Sequence, residues 1–139
     1  MTAAALRLAL GLQALLAAGT GLPAALLPRR FYDDFPFVAS WVDRLPPYNA
    51  HLVTDVGGLY LGFAVLFAWA AVRPHRALVV PLCLAWSVAA ALHLAFHLAH
   101  LGGWGAADAV AQTAGLVVVL GLPLAVLAVL ARQSRSSAL

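Results

Sequence analysis

Histidine and aspartate carry most of the chemistry available to this chain, and their spacing is not random. His93, His97 and His100 stand at i, i+4 and i+7, which is one face of a helix. Two imidazoles four residues apart are neighbours and can chelate one ion, and the third can approach it. Imidazole with carboxylate suits zinc, iron, copper or nickel, so His93, His97, His100 and Asp55 form the metal set the sequence offers. Three histidines on one helix rarely all reach one ion, and Asp55 or His51 from a facing helix completes the set more comfortably. A second chemistry needs no metal. Asp55 with His51 or His97 is an acid–base pair that would act on a lipophilic molecule entering from the membrane. A third is haem ligation, with His51 and His97 or His100 as axial ligands. Against all three stands a plain alternative: hydrogen bonds between helices, worth about 0.6 kcal/mol each on average.

The elements that must position these groups are membrane helices. Of 139 residues, 64% are hydrophobic and 9% charged, against roughly 25% charged in a soluble domain. Mean hydropathy is +0.95. This balance excludes a disordered chain and a water-soluble globular domain. The net charge of +3 comes from eight arginines and five aspartates, with no lysine and no glutamate. These arginines form no basic patch with interleaved aromatics, so nucleic acid is not an expected partner. Cys83 is the single cysteine; it can form neither an internal disulfide nor a CxxC pair, which excludes a four-helix thiol oxidoreductase.

About 20 apolar residues cross the hydrocarbon core, and four stretches qualify: about 6–27, 52–72, 77–100 and 109–131. The first could serve as a secretory signal, but its apolar run continues past Ala17-Ala18-Gly19, and it is expected to remain as a span. Arginine placement gives the orientation. Arg7, Arg73, Arg76, Arg132 and Arg135 share one side, and Arg29, Arg30 and Arg44 the other. Five against three puts both termini in the cytoplasm. GLPAALLP at 21–28 and GLPLAVLA at 121–128 match by composition and do not make an inverted repeat.

The outer loop, 28–51, holds Phe31, Tyr32, Phe35, Phe37, Trp41 and Tyr48 together with Asp33, Asp34 and Asp43. Phe37, Val38, Trp41, Val42 and Leu45 fall on one helical face, and Ser40, Asp43 and Arg44 on the other. The expected element is a short amphipathic helix at the interface, closed by Pro46-Pro47. It is either an aromatic anchor or a lid.

Intramembrane polar groups gather near the same level. His51, Asp55, Gly58 and Gly62 share a face of the second span, and Gly58 and Gly62 form a small-xxx-small pair for close packing. Trp86, Ala90, His93, His97 and His100 share a face of the third; Asp108, Gln112 and Gly115 of the fourth; Gln13, Ala17 and Thr20 of the first. Turned inward, these faces make an outward-opening polar pocket whose wall includes Trp86, Asp108, Gln112, Tyr32, Asp33, Asp34, Trp41 and Tyr48.

The strings FYDDFP, LPPYN, HLVTDVGGLYLG and HLAFHLAH resemble small four-span actinobacterial membrane proteins, DoxX-like in overall plan. The resemblance runs from Leu6 to about Leu130. It implies a four-helix fold in a bacterial inner membrane and implies no reaction. The expected architecture is therefore one all-α domain, an integral-membrane four-helix bundle with a short interfacial helix. The expected function is binding of a divalent metal or acid–base handling of a lipophilic small molecule. The competing expectation is a non-catalytic accessory subunit of a larger membrane complex or homo-oligomer. A haem-binding or transport protein comes third. Whether the chain is an enzyme stays open at this point.

Overall fold

A computed structural model describes residues 2–44 and 47–136. The fold is all-α, with five helices in the order α1 (Ala3–Leu26), α2 (Pro28–Asp34), α3 (Ala50–Val72), α4 (Arg76–Ala99) and α5 (Ala106–Ser136). Four are long and apolar enough to cross a membrane: Ala3–Leu26, Ala50–Val72, Arg76–Ala99 and Ala106–Gln133. The expected spans hold to within a few residues.

Local chemistry sets the helix ends. The Thr2 hydroxyl accepts the Ala5 amide at 3.1 Å, and the Asn49 side chain accepts the Leu52 amide at 3.1 Å. Each cap satisfies a donor that the first turn leaves orphaned. Pro74 ends α3, because the residue before a proline is pushed out of the helical region. Beyond α4, Gly103 takes φ +84°, a left-handed conformation that glycine adopts without a Cβ penalty. Helices α1 and α5 continue through Pro23 and Pro123.

The chain divides into two compact units, Ala14–Val65 and the remainder, Met1–Gln13 with Leu66–Leu139. In Ala14–Val65, α1 and α3 meet through small residues. A methyl group on Gly57 would stand 2.8 Å from Ala24 C and Ala25 Cα, and one on Gly21 3.0 Å from Gly57 O and Leu61 N. Gly58 and Gly62 have nothing within 4 Å of such a group. The close-packing glycine is therefore Gly57, one position from the pair that the spacing singles out. The face with His51, Asp55, Gly58 and Gly62 is exposed instead of packed.

The short helix of the loop is α2 (Pro28–Asp34), and the described residues 37–44 are not helical. Pro28 suits its first turn, where no amide partner is needed. Arg29–Asp33 and Arg30–Asp34 pair at i, i+4 across 2.7 and 3.6 Å, and Phe31 is buried. After it the chain turns. Phe37 has φ 71°, its amide donates to Asp34 O, Pro36 bridges Ser40, and the Trp41 amide donates to Phe35 O at 3.0 Å. A left-handed Phe37 cannot begin a right-handed helix. Leu45 and Pro46, which complete the expected amphipathic segment, lie outside the described residues.

In the other unit the start of α1, the end of α3, α4 and α5 pack together. Arg7 Nη1 donates to Ala71 O and Val72 O. The Phe67 and Trp86 rings meet edge to face at 5.5 Å. Trp86 Nε1 donates to Val119 O at 3.2 Å, and Arg76 Nη1 to Leu130 O at 2.9 Å. The last two bonds fix α4 and α5 as antiparallel neighbours. Leu10, Phe67, Ala70, Val79, Leu82, Cys83, Trp86, Val126 and Leu130 are its buried hydrophobic residues.

Candidate functional site

Helix α4 buries Val79, Leu82, Cys83, Trp86 and His97. Val79, Leu82, Cys83 and Trp86 follow i, i+3, i+4 and i+7, the stripe of an inward helical face, and His97 lies eleven residues, about three turns, beyond Trp86 on the same side. The imidazole is 9% exposed. Its ring contacts His93 edge to face at 4.6 Å and Phe96 at 6.0 Å. From α5, the Gln112 amide lies near enough to act on His97. Gln112 is 3% exposed.

The two side chains are close, yet the geometry of the contact leaves polar atoms of both without a well-formed hydrogen bond. His97 Nδ1 and both polar atoms of the Gln112 amide are buried without a hydrogen-bond partner, as are both polar atoms of Gln13 on α1 and Ser87 Oγ on α4. Leaving such a group unmade costs about 1–3 kcal/mol, and each case in a folded protein calls for an explanation. Gln13 lies with Ala14 and Ala17 on the buried side of α1, as its spacing predicts. For Ser87 the only signal in the sequence is a lone hydroxyl one residue from Trp86 in an apolar run.

His93 and His100 flank this stripe and are exposed. His100 stacks on Phe96 with ring centroids 4.1 Å apart, and its Nδ1 lies 2.7 Å from Phe96 O. A carbonyl only accepts, so Nδ1 is the donor in this contact. Asp108 occupies the first turn of α5, where the helix dipole favours a negative charge. Trp86 is buried, with its N–H engaged by Val119 and its ring against Phe67; it is a packing residue at the middle of α4.

In Ala14–Val65, His51 Nε2 lies 3.3 Å from Asp55 Oδ2, with the side chains 87% and 56% exposed. The loop residues assigned to the pocket wall form their own cluster. The Tyr32 and Tyr48 rings meet at 5.3 Å, tilted by 58°, and the Arg29 guanidinium lies over the Tyr48 ring at 5.0 Å and over Tyr32 at 5.9 Å. Tyr32 donates to Asp43 O at 3.4 Å. Asp33 accepts from Arg29 and, by that hydrogen bond and its charge, raises the guanidinium above its ordinary pKa. Asp34 pairs with Arg30, whose guanidinium lies over Phe37 at 5.9 Å. Both acids are thus committed to neighbouring arginines. Trp41 is half-buried in the same loop.

Among the described residues, no group of three or more His, Cys or Asp is arranged to hold a metal ion. The expected set of His93, His97, His100 and Asp55 does not form such a group; what stands on α4 is a pair of imidazoles.

Fold and site together define a small multi-pass membrane protein with orphaned polar groups buried between apolar helices. Compared with known proteins, the chain matches no family model, no curated protein and no solved structure. The likeness to DoxX-like proteins is carried by no match, and the four-span plan stands on the structure alone.

Proposed function

We propose that this chain is a protein of the bacterial cytoplasmic membrane, with both termini on the cytoplasmic side, that holds the polar end of a lipophilic small molecule at His97 and Gln112. The carrying observation is that His97 and Gln112 are buried opposite each other on facing helices α4 and α5, with His97 Nδ1 and the Gln112 amide atoms lacking a well-formed hydrogen bond. An amide offers two donors and an acceptor, and an imidazole one of each. Together they match a carbonyl or hydroxyl on an otherwise apolar molecule. Apolar helices around a few placed polar groups are the usual make-up of a small-molecule site. His93 beside His97 supplies a second imidazole, so proton transfer to a bound carbonyl or hydroxyl is the chemistry within reach. Asp55 with His51 is a further proton-exchanging pair on α3.

The test is mass spectrometry of organic extracts from protein purified in mild detergent, with thermal unfolding alongside. Wild-type protein is expected to retain an apolar molecule. His97→Phe and Gln112→Leu should each reduce it at least tenfold. Gln112→Leu should also stabilise the empty protein by about 1 kcal/mol, because the unmade amide is gone. Equal retention in all three, or a destabilised Gln112→Leu, overturns the reading.

A second reading, as a non-catalytic subunit of a larger membrane complex, is favoured by the exposed His51–Asp55 pair on α3. The pair stands in the first two turns of α3, where exposed ionisable side chains can be covered by polar groups of a neighbouring chain. The mass of the particle released by mild detergent decides between a lone chain and a complex.

A further inference from the structure

One end of the unit formed by Met1–Gln13 and Leu66–Leu139 gathers arginines. Arg7 Nη1 donates to Ala71 O, at 3.0 Å, and to Val72 O. These are final carbonyls of α3, acceptors without intrahelical partners at the negative end of a helix dipole. The bonds pin Arg7 beside Arg73. The Arg73 guanidinium in turn lies 5.5 Å from the centre of the Trp69 ring, which is 58% exposed. A tight turn follows, in which the His75 amide donates to Arg73 O at 2.9 Å. Arg76 then opens α4 and donates through Nη1 to Leu130 O on α5.

Three guanidiniums from α1, the α3–α4 turn and α4 thus stand at the same end of this unit, two of them anchored by main-chain carbonyls. Each guanidinium has five N–H donors, and the bonds of Arg7 and Arg76 to main-chain carbonyls use Nη1 alone. Among the described residues, no carboxylate pairs with them. The one acidic side chain in this unit's sequence, Asp108, is 22 residues up α5 from Leu130, about 33 Å along a helix.

We propose that Arg7, Arg73 and Arg76 bind the phosphate of an anionic phospholipid headgroup. Forked donors fit phosphate oxygens, and basic residues beside a membrane-spanning helix attract anionic lipid. A lipid is favoured over free phosphate by the apolar surface next to the arginines: Leu8, Trp69 and Val72 are 74%, 58% and 68% exposed and would line the acyl chain. The site is independent of the His97 reading, and it does not depend on which way the protein faces.

Native mass spectrometry of the full chain released from mixed phosphatidylglycerol and phosphatidylcholine nanodiscs tests it. The expected result is at least tenfold preferential retention of phosphatidylglycerol. Arg73→Gln, whose side chain anchors no helix, should reduce the preference at least threefold. Arg73→Gln with Arg76→Gln should bring it to parity. Arg29→Gln, in the outer loop, should leave it unchanged. Inorganic phosphate added to pure phosphatidylcholine discs should not raise the unfolding temperature, whereas phosphatidylglycerol should. The proposal is overturned by equal retention of both lipids in the wild type, by an unaltered preference in Arg73→Gln, or by phosphate reproducing the lipid's stabilisation.

Discussion

Gly57→Ala is expected to destabilise the protein by more than about 3 kcal/mol, the upper range for overpacking a close contact, whereas Gly58→Ala should be neutral or slightly stabilising. The two residues are adjacent in the same helix, so propensity treats them alike, and alanine in a helix interior should gain up to about 1 kcal/mol over glycine at either. What separates them is the neighbour. A Cβ at Gly57 meets Ala24 and Ala25 main-chain atoms, which cannot swing aside as a side chain can. At Gly58 there is nothing within 4 Å. Helices in lipid have no hydrophobic force pressing them together and depend on close van der Waals approach. Prising α1 from α3 by an ångström therefore removes much of what joins them. Unfolding of each variant in mixed micelles, followed by circular dichroism, measures the difference. Equal stabilities would place the helix contact elsewhere.

The same glycines mark how far the sequence could be read. The Gly57-Gly58 doublet announces a close helix contact, but spacing alone cannot choose between Gly57 and the Gly58/Gly62 pair. The choice depends on where Ala24 and Ala25 of another helix arrive. Spans were legible because about 20 apolar residues between polar ends have few other fates. The face carrying Gln13 and Ala17 was legible from its four-residue spacing. The loop was not. Its apolar residues at 37, 38, 41 and 42 fit a helical face, yet they serve a turn made by a left-handed Phe37, and no local rule puts a bulky aromatic there. The real helix had a signal of its own in Pro28 and the Arg29–Asp33 and Arg30–Asp34 spacing, which periodicity of apolar residues does not detect. At the site, spacing put His93, His97 and His100 on one face. It could not foresee that only His97 would be buried while His100 stacks on Phe96.

Trp86 gives the second large effect and separates packing from binding. Trp86→Ala should cost about 3–5 kcal/mol, the range for removing a buried aromatic ring. The cost has two sources here: the edge-to-face contact with Phe67 at 5.5 Å and the Nε1 hydrogen bond to Val119 O at 3.2 Å. Trp86→Phe keeps most of the ring and loses the donor, so it should cost about 1 kcal/mol, the net value of one hydrogen bond. A double-mutant cycle with Phe67→Ala should return a coupling of about 0.5–1.5 kcal/mol, as for other aromatic pairs. The sequence places Trp86 in the wall of a binding pocket, whereas the structure gives both its ring and its donor protein partners. Retention of an apolar molecule at His97 and Gln112 should therefore be unchanged in Trp86→Phe. A variant of near-normal stability that loses the bound molecule would return Trp86 to the site and extend the site about eleven residues down α4, about 16 Å from His97. The expected outcome confines recognition to the end of α4 and leaves its middle to hold α3 and α5 in place.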